Sequence, residues 1–592
     1  MILQALNCYY HRLIADPENG GVPLAGFSRQ KIHFCLVLDR EGNLVEEDDL
    51  RVKEGKRELP LELVVPEPVK RTVAIAANFL WDNTGYVLGG DAKGTPERAS
   101  RMFAAFREMQ HSVAGDLEDE GMKAVLRFLE GWKPEQALSL KKWDQMAGLN
   151  VVFRLDGERR FIHERPMIRE RWAGYCSENA GEKKGMCLIS GEEQPIARLH
   201  PAIKGVPGSQ TSGAALVSFN LDAFTSYGKD QNYNAPIGER AAFAYCTALN
   251  WLLRNGSRQK VRIGDAMVVF WTERSSEVEN LFAGLFETDL DIADSGADDT
   301  GALRDLRAIL EALRGGRVQE AVKEPEVRFY LLALSPNASR LSVRFWHVST
   351  VGEILQNVFQ HFQQLEVVKS FENERRYPSI RTLLRETVSH NEPGSLWEKD
   401  EKVSPLIAGA FTRAVFTGAP YPQNLLPALL TTIRSDQTIN YLRASLIKAF
   451  LIRNCRHEEV SVSLDKENTN TGYRLGRLFA VFERIQTAAN PGINSTIRDK
   501  YFGSAAATPK NIFPMLWSLS QQHMGKLRKD SEKKGLAGFF DRKVGEITEA
   551  LEATPLPAFL NPENQGLFFL GYYHQRQDLF TGKTDKIETE EE

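Results

Sequence analysis

With 592 residues, 42% of them apolar and 26% charged, the chain exceeds what one hydrophobic core usually organises, so two or three domains are expected. It has no run of 18 or more apolar residues that could span a bilayer, so no membrane role is expected. A net charge of −4 argues, taken whole, against a uniformly basic nucleic-acid footprint.

In chain order, MILQALNCYYHRLIADPENG lacks the basic start and cleavage site of a secretory leader and reads as the first structured element of a cytoplasmic protein. Strands are expected over 31–39, 61–65, 266–271, 328–334 and 341–346, where β-branched and aromatic residues cluster between turn residues. Helices are expected over 96–112 and 238–254, from their apolar spacing. Between Ser275 and Thr300 eight acidic residues stand without a Lys or Arg, an exposed excursion. From about 351 the pattern turns helical: Ile354, Leu355, Val358, Phe359, Phe362 and Leu365 share one face, as do Leu475, Leu478, Phe479, Phe482 and Ile485. Over 401–580 there are 22 Lys and Arg against 16 Asp and Glu, a surplus that suits contact with a polyanion on one face. The tail from 584 is acidic and expected to be disordered. The predicted fold is α+β, with a mixed α/β N-terminal domain over 1–395 and a C-terminal helical bundle over 396–592.

The six cysteines, Cys8, Cys35, Cys176, Cys187, Cys246 and Cys455, match no zinc spacing and read as free thiols. LDKENTNTG (464–472) has Asn470 and Gly476 where a calcium loop needs Gly and Glu, so no metal site is read there. Phosphate-loop and HExxH motifs are absent. No catalytic residue and no cofactor is assigned.

Four segments carry candidate contacts. In KRTVAIAANFLWDNTGYVLG (70–89), Lys70 and Arg71 suit phosphates, while Asn78 and Asn83 offer amides to base edges. An Asx-stabilised turn at Asp82 and Asn83 explains the same residues equally well. The stretch 204–250, KGVPGSQTSGAALVSFNLDAFTSYGKDQNYNAPIGERAAFAYCTALN, packs amides, hydroxyls and glycines around a short apolar run. Here Lys204, Gly208, Ser209, Gln210, Thr211 and Ser212 form one loop, and Tyr227, Lys229, Gln231, Asn232 and Asn234 another. The alternative is a polar loop packed on a neighbouring subunit. In LLALSPNASRLSVRFW (331–346), Arg340 and Arg344 fall on one strand face, for phosphate or simply for solvent. The C-terminal helices add Arg477 and Arg484, seven apart, and then Lys526, Arg528, Lys529, Lys533 and Lys534 in GKLRKDSEKKGLAGFFDRKVG, as a basic track or as solvated faces.

Together these signatures closely resemble the large-subunit family of the type I-C CRISPR surveillance complex (Cascade). The resemblance implies a non-catalytic subunit that recognises the protospacer-adjacent motif (PAM) in duplex DNA, promotes strand separation and R-loop formation, and holds the displaced strand. It implies that the N-terminal domain contacts the crRNA 5′ end and the complex's backbone, and that the bundle is small-subunit-like from about 475. Its implied partners are crRNA, target double-stranded DNA, the Cascade backbone subunits, the crRNA-processing subunit, small subunits and a recruited helicase-nuclease. It suggests Gln210 or its neighbours as a wedge beside the motif, with Lys204 and Lys229 on phosphates. A separately made full small-subunit-like bundle would need a non-Met start near 470–481, with Leu475 and Val481 as candidates, because no methionine lies between Met267 and Met515 and a start at Met515 would yield only the fragment beyond it. Two other readings stand beside it: a metal-dependent nuclease built on Asp82, and a purely architectural subunit.

Overall fold

The computed structural model describes residues 1–592 except 17–20, 55–56, 70, 72–74, 91–95, 179–182, 264, 277–278, 280–281, 283–284, 286–299, 316–323, 392–394, 458–459, 550, 552–554 and 588–592. Most of the acidic stretch and the end of the acidic tail lie outside the described residues. Helix makes up 51% and strand 16% of the described residues. All the strands described precede residue 351 and the regular structure after it is helical, so the fold is α+β. Contacts divide the chain into two compact units, Met1–Ile203 with Ala215–Trp251, and Lys204–Ala214 with Leu252–Glu592.

The first unit opens with helix Ile2–Ala15, which buries Leu6, Tyr9, Tyr10 and Leu13, one helical stripe. Its main sheet has four strands in the order Leu44–Asp49, Phe34–Leu38, Asn150–Leu155, Trp81–Asn83, with Phe34–Leu38 parallel to Asn150–Leu155. The apolar run FCLVL is buried throughout, as expected for a central strand covered on both faces. Phe34, Leu36 and Leu38 join a core with Phe106 and Phe128 of helices Pro96–Ala114 and Glu120–Gly131. Cys35 faces the other way, against Ile32, Val65 and Trp81. This alternation is the period of two that a pleated strand imposes. Helix Glu239–Leu253 follows the polar stretch of the chain.

The second unit contains an antiparallel sheet of Lys260–Ile263, Ala266–Thr272, Arg328–Asn337 and Arg340–Thr350, in that order. Thr350 ends the last strand and caps helix Val351–Leu365, accepting from the Glu353 N–H at 3.2 Å while Glu353 reaches back to the cap. Phe270 and Phe329 of the sheet share one continuous core with Leu355, Phe411, Leu429, Phe479 and Phe568 of the helices. Helices Thr471–Ala489 and Pro562–Ile587 approach very closely: a Cβ on Gly476 would lie 1.9 Å from the Phe568 carbonyl oxygen, and one on Gly571 would lie 2.2 Å from that of Tyr473. Only a residue without a side chain fits at either place. Arg443, 0% exposed, is held at 2.6 Å by Asp436 and at 3.1 Å by Glu386.

Candidate nucleic-acid interface

Lys70 lies outside the described residues. Arg71 turns inward: it donates to both carboxylate oxygens of Asp82 and to the Ala76 carbonyl at 2.5 Å, and it lies 4.0 Å over the Tyr86 ring. Asp82 is 1% exposed and also accepts from the N–H groups of Asn78 and Asn83. Burial pushes its pKa up against the pull of Arg71. Asn78 is buried with its Oδ1 on the Val69 N–H at 3.0 Å, and Asn83 caps the short helix Thr84–Val87 through the Gly85 N–H. Buried Gln110, which the sequence reading missed, supports this turn by accepting from the Leu80 N–H at 2.9 Å and donating to the Asn78 carbonyl at 3.0 Å. Arg71, Asn78, Asp82 and Asn83 form a self-satisfied polar cluster, and the oxygens of Asp82 are already occupied.

The stretch from 204 divides between the two units. Residues 204–214 belong to the second, where Gly208 stands against Pro336 near the end of the hairpin that carries Arg340. Gly208 and Gly213 take positive φ (78° and 98°) and bound a tight turn closed by Gly213 N–H to the Gln210 carbonyl at 2.9 Å. Ser209 folds back onto the Val206 carbonyl at 2.6 Å. Gln210, Thr211 and Ser212 are exposed, and their side chains engage no group among the described residues. Lys204 is exposed as well.

Residues 226–234 belong to the first unit. Ser226 and Lys229 pair across a two-residue turn formed by Tyr227 and Gly228. Asn234 accepts from the Ser226 N–H at 3.2 Å and donates to the Lys229 and Gln231 carbonyls at 2.8 and 2.9 Å. Its amide therefore braces the loop from within. Asn232 is buried, whereas exposed Arg198, not singled out from the sequence, donates to the Gln231 Oε1 at 2.9 Å. Tyr227 is fully exposed, and Lys229 is exposed and forms no ion pair among the described residues.

Arg344 sits at a bulge opposite Ala333 and Leu334 and pairs with Asp265 at 2.7 Å. The extra residue breaks the simple alternation that would have set it beside Arg340. Arg477 is 3% exposed, donating to the Gln575 Oε1 at 3.1 Å and the Lys466 carbonyl at 3.1 Å. Arg484 lies 5.3 Å from the Phe580 ring centre. Lys526 bonds Asn490, Arg528 pairs with Asp541 and Lys533 with Asp530. Lys529 and Lys534 are exposed and carry no ion pair among the described residues. Helix Pro509–Lys529 ends on Lys526, Arg528 and Lys529, which also complements its negative C-terminal dipole.

The chain matches the family described as CRISPR-associated protein (Cas_Csd1) over residues 6–580. It belongs to that family. Its members are CRISPR-associated large subunits of Cascade assemblies, so other Cas subunits are this chain's expected neighbours. Among curated proteins none matched. No helix among the described residues is long and apolar enough to cross a membrane, and none of their His, Cys, Asp and Glu side chains cluster in a group able to hold a metal ion.

Proposed function

We propose that this Cas_Csd1 chain is the DNA-recognition subunit of a type I-C Cascade. It reads the PAM in duplex DNA, promotes strand separation and R-loop formation, steadies the displaced strand on its helices and helps recruit the helicase-nuclease, working in the cytoplasm on a crRNA-bearing complex and catalysing nothing itself. The observation that carries the reading is the Gln210–Ser212 turn: three neutral donor and acceptor side chains, exposed and unengaged among the described residues, on a backbone that turns at Gly208 and Gly213 and is closed by the Gly213 N–H on the Gln210 carbonyl. Uncommitted amides and hydroxyls on a narrow turn suit base-edge readout in a groove. Long-sequence specificity is left to guide pairing, and the protein needs only a short flank.

The nuclease reading loses its main residue, because Asp82 is enclosed and saturated by Arg71 and two N–H groups. The test compares binding of the reconstituted complex to guide-matched duplexes with intact or scrambled flanks, for wild type and a Gln210→Ala, Thr211→Ala, Ser212→Ala variant. Loss of flank preference with intact assembly is expected. Unchanged preference would move the reader elsewhere, and assembly failure would favour an architectural role.

A further inference from the structure

Tyr227 combines two unfavourable features. Its side chain is 100% exposed, and its backbone adopts φ 50°, a left-handed conformation that a bulky residue rarely takes. It occupies the first central position of the two-residue turn, with Gly228 (φ 68°) at the second. Asn, Asp or Gly normally fills that first position, because they tolerate the left-handed backbone at little cost. A second residue nearby, Gln231 at φ 46°, is held the same way. The three Asn234 bonds lock the turn in this form, so the ring is presented on a braced support. Strained residues persist where surrounding structure over-determines them, and they concentrate at functional sites.

The neighbours indicate what the ring is for. Ser226, Lys229 and Asp230 around it are exposed, so it lacks the apolar collar that surrounds a protein–protein anchor. Lys229 and Asp230 nearly cancel in charge, and attraction to phosphate alone does not explain the placement. A nucleobase fits: its face stacks on an aromatic ring without needing an apolar surround.

We infer that Tyr227 is a preorganised stacking finger whose ring takes the place of a neighbouring base against one nucleobase of the bound DNA, with Asn234 as its positioning residue. This inference rests on the reading of the chain as a DNA-binding subunit, but it is independent of which loop reads the flank.

The test is a double-mutant cycle on the assembled ribonucleoprotein. Wild type, Tyr227→Ala and Tyr227→Phe complexes are titrated with guide-matched duplexes in which a single abasic site is walked through the positions beside the flank. Tyr227→Ala is expected to weaken binding to the intact duplex about tenfold, the scale of one base–aromatic stack, while Tyr227→Phe stays near wild type. At one abasic position the wild-type advantage over Tyr227→Ala should vanish, because ring and base are then one interaction counted twice. An Ala effect of equal size at every position overturns the finger, as does no effect at all, or a Phe variant as weak as Ala. A Tyr227→Ala complex that lacks a subunit also overturns it and assigns the ring to a protein pocket. Wild-type indifference to scrambled flanks would instead sink the flank-reading proposal, and the cycle would still judge the finger from affinities alone.

Discussion

The second unit should be acid-labile in a window to which two buried histidines of its bundle contribute. His361 and His574 are each 1% exposed. The His361 Nδ1 lies 2.6 Å from the Tyr421 hydroxyl and that of His574 lies 2.9 Å from the Tyr473 hydroxyl, while neither Nε2 has a hydrogen-bond partner among the described residues. Burial, and then Arg453, holds His361 well below its ordinary value; burial, and then Lys448, pushes His574 down to about 3. Both rings therefore stay neutral in the folded chain at pH values where the unfolded chain takes up protons, near the ordinary value of about 6.5. Stability is complete above that value and falls as pH drops from it toward the folded values. Between pH 7 and pH 5 each histidine removes about 2 kcal/mol, so the pair removes about 4 kcal/mol. That is a large part of the ~5–15 kcal/mol that usually holds a domain together. Paired carboxylates such as Asp436, where Ser389, His390 and Arg443 outweigh burial and keep the pKa low, contribute only below about pH 4, leaving this window to the imidazoles. Urea unfolding at pH 7, 6 and 5, at fixed ionic strength, reads the effect as a falling midpoint. His574→Gln should lower stability at pH 7 yet take about 2 kcal/mol out of the loss between pH 7 and pH 5. A midpoint that is flat or rising from pH 7 to pH 5 would refute the reasoning.

Gly476→Ala should destabilise the chain by about 1–3 kcal/mol, because the added methyl meets a backbone carbonyl and the two helices must separate; a gain in stability, as helix propensity alone favours, would contradict the close approach. Hydrogen exchange over residues 562–580 locates the loss. Arg443→Leu strands Asp436 and Glu386 in a buried site and should cost about 3–5 kcal/mol; adding Asp436→Asn should recover part of it, and strict additivity of the two changes in thermal melts would argue against a network. In DNA titrations of the complex against salt, replacing Lys529 or Lys534 should reduce the log–log slope by about 1 per phosphate contact, whereas the neutral Gln210 turn variants should leave it unchanged.

Much of the fold is written in local patterns. The buried run Phe34–Leu38, the hairpin Arg328–Thr350 and the helices after Val351 follow from periodicities that span only a few residues. The candidate contacts were harder to read, because a sequence shows which groups can bond but not which are already bonded. Arg71 is spent on Asp82, eleven positions on, and Arg477 on Gln575, 98 positions on. Both partners are brought close by the tertiary fold, and no motif around either arginine announces them. The bulge at Arg344 and the contact of Gly476 with a distant helix are likewise properties of paired elements.

That sorting changes the character of the interface. Of the side chains first considered for nucleic acid, the buried or paired ones are mostly arginines and asparagines within the fold, and those uncommitted among the described residues are Gln210, Thr211, Ser212, Tyr227 and Lys229 on loops and Lys529 and Lys534 on helices. A chain with net charge −4 gains little affinity from counterion release across its whole surface, so discrimination has to come from a few short-range contacts. Those contacts work only if their supports are rigid, since ordering a mobile loop on binding would consume the small energies involved. The backbone bonds that close the Gln210 turn and the Asn234 brace under Tyr227 supply that rigidity, which makes the bracing residues as consequential for recognition as the groups they display.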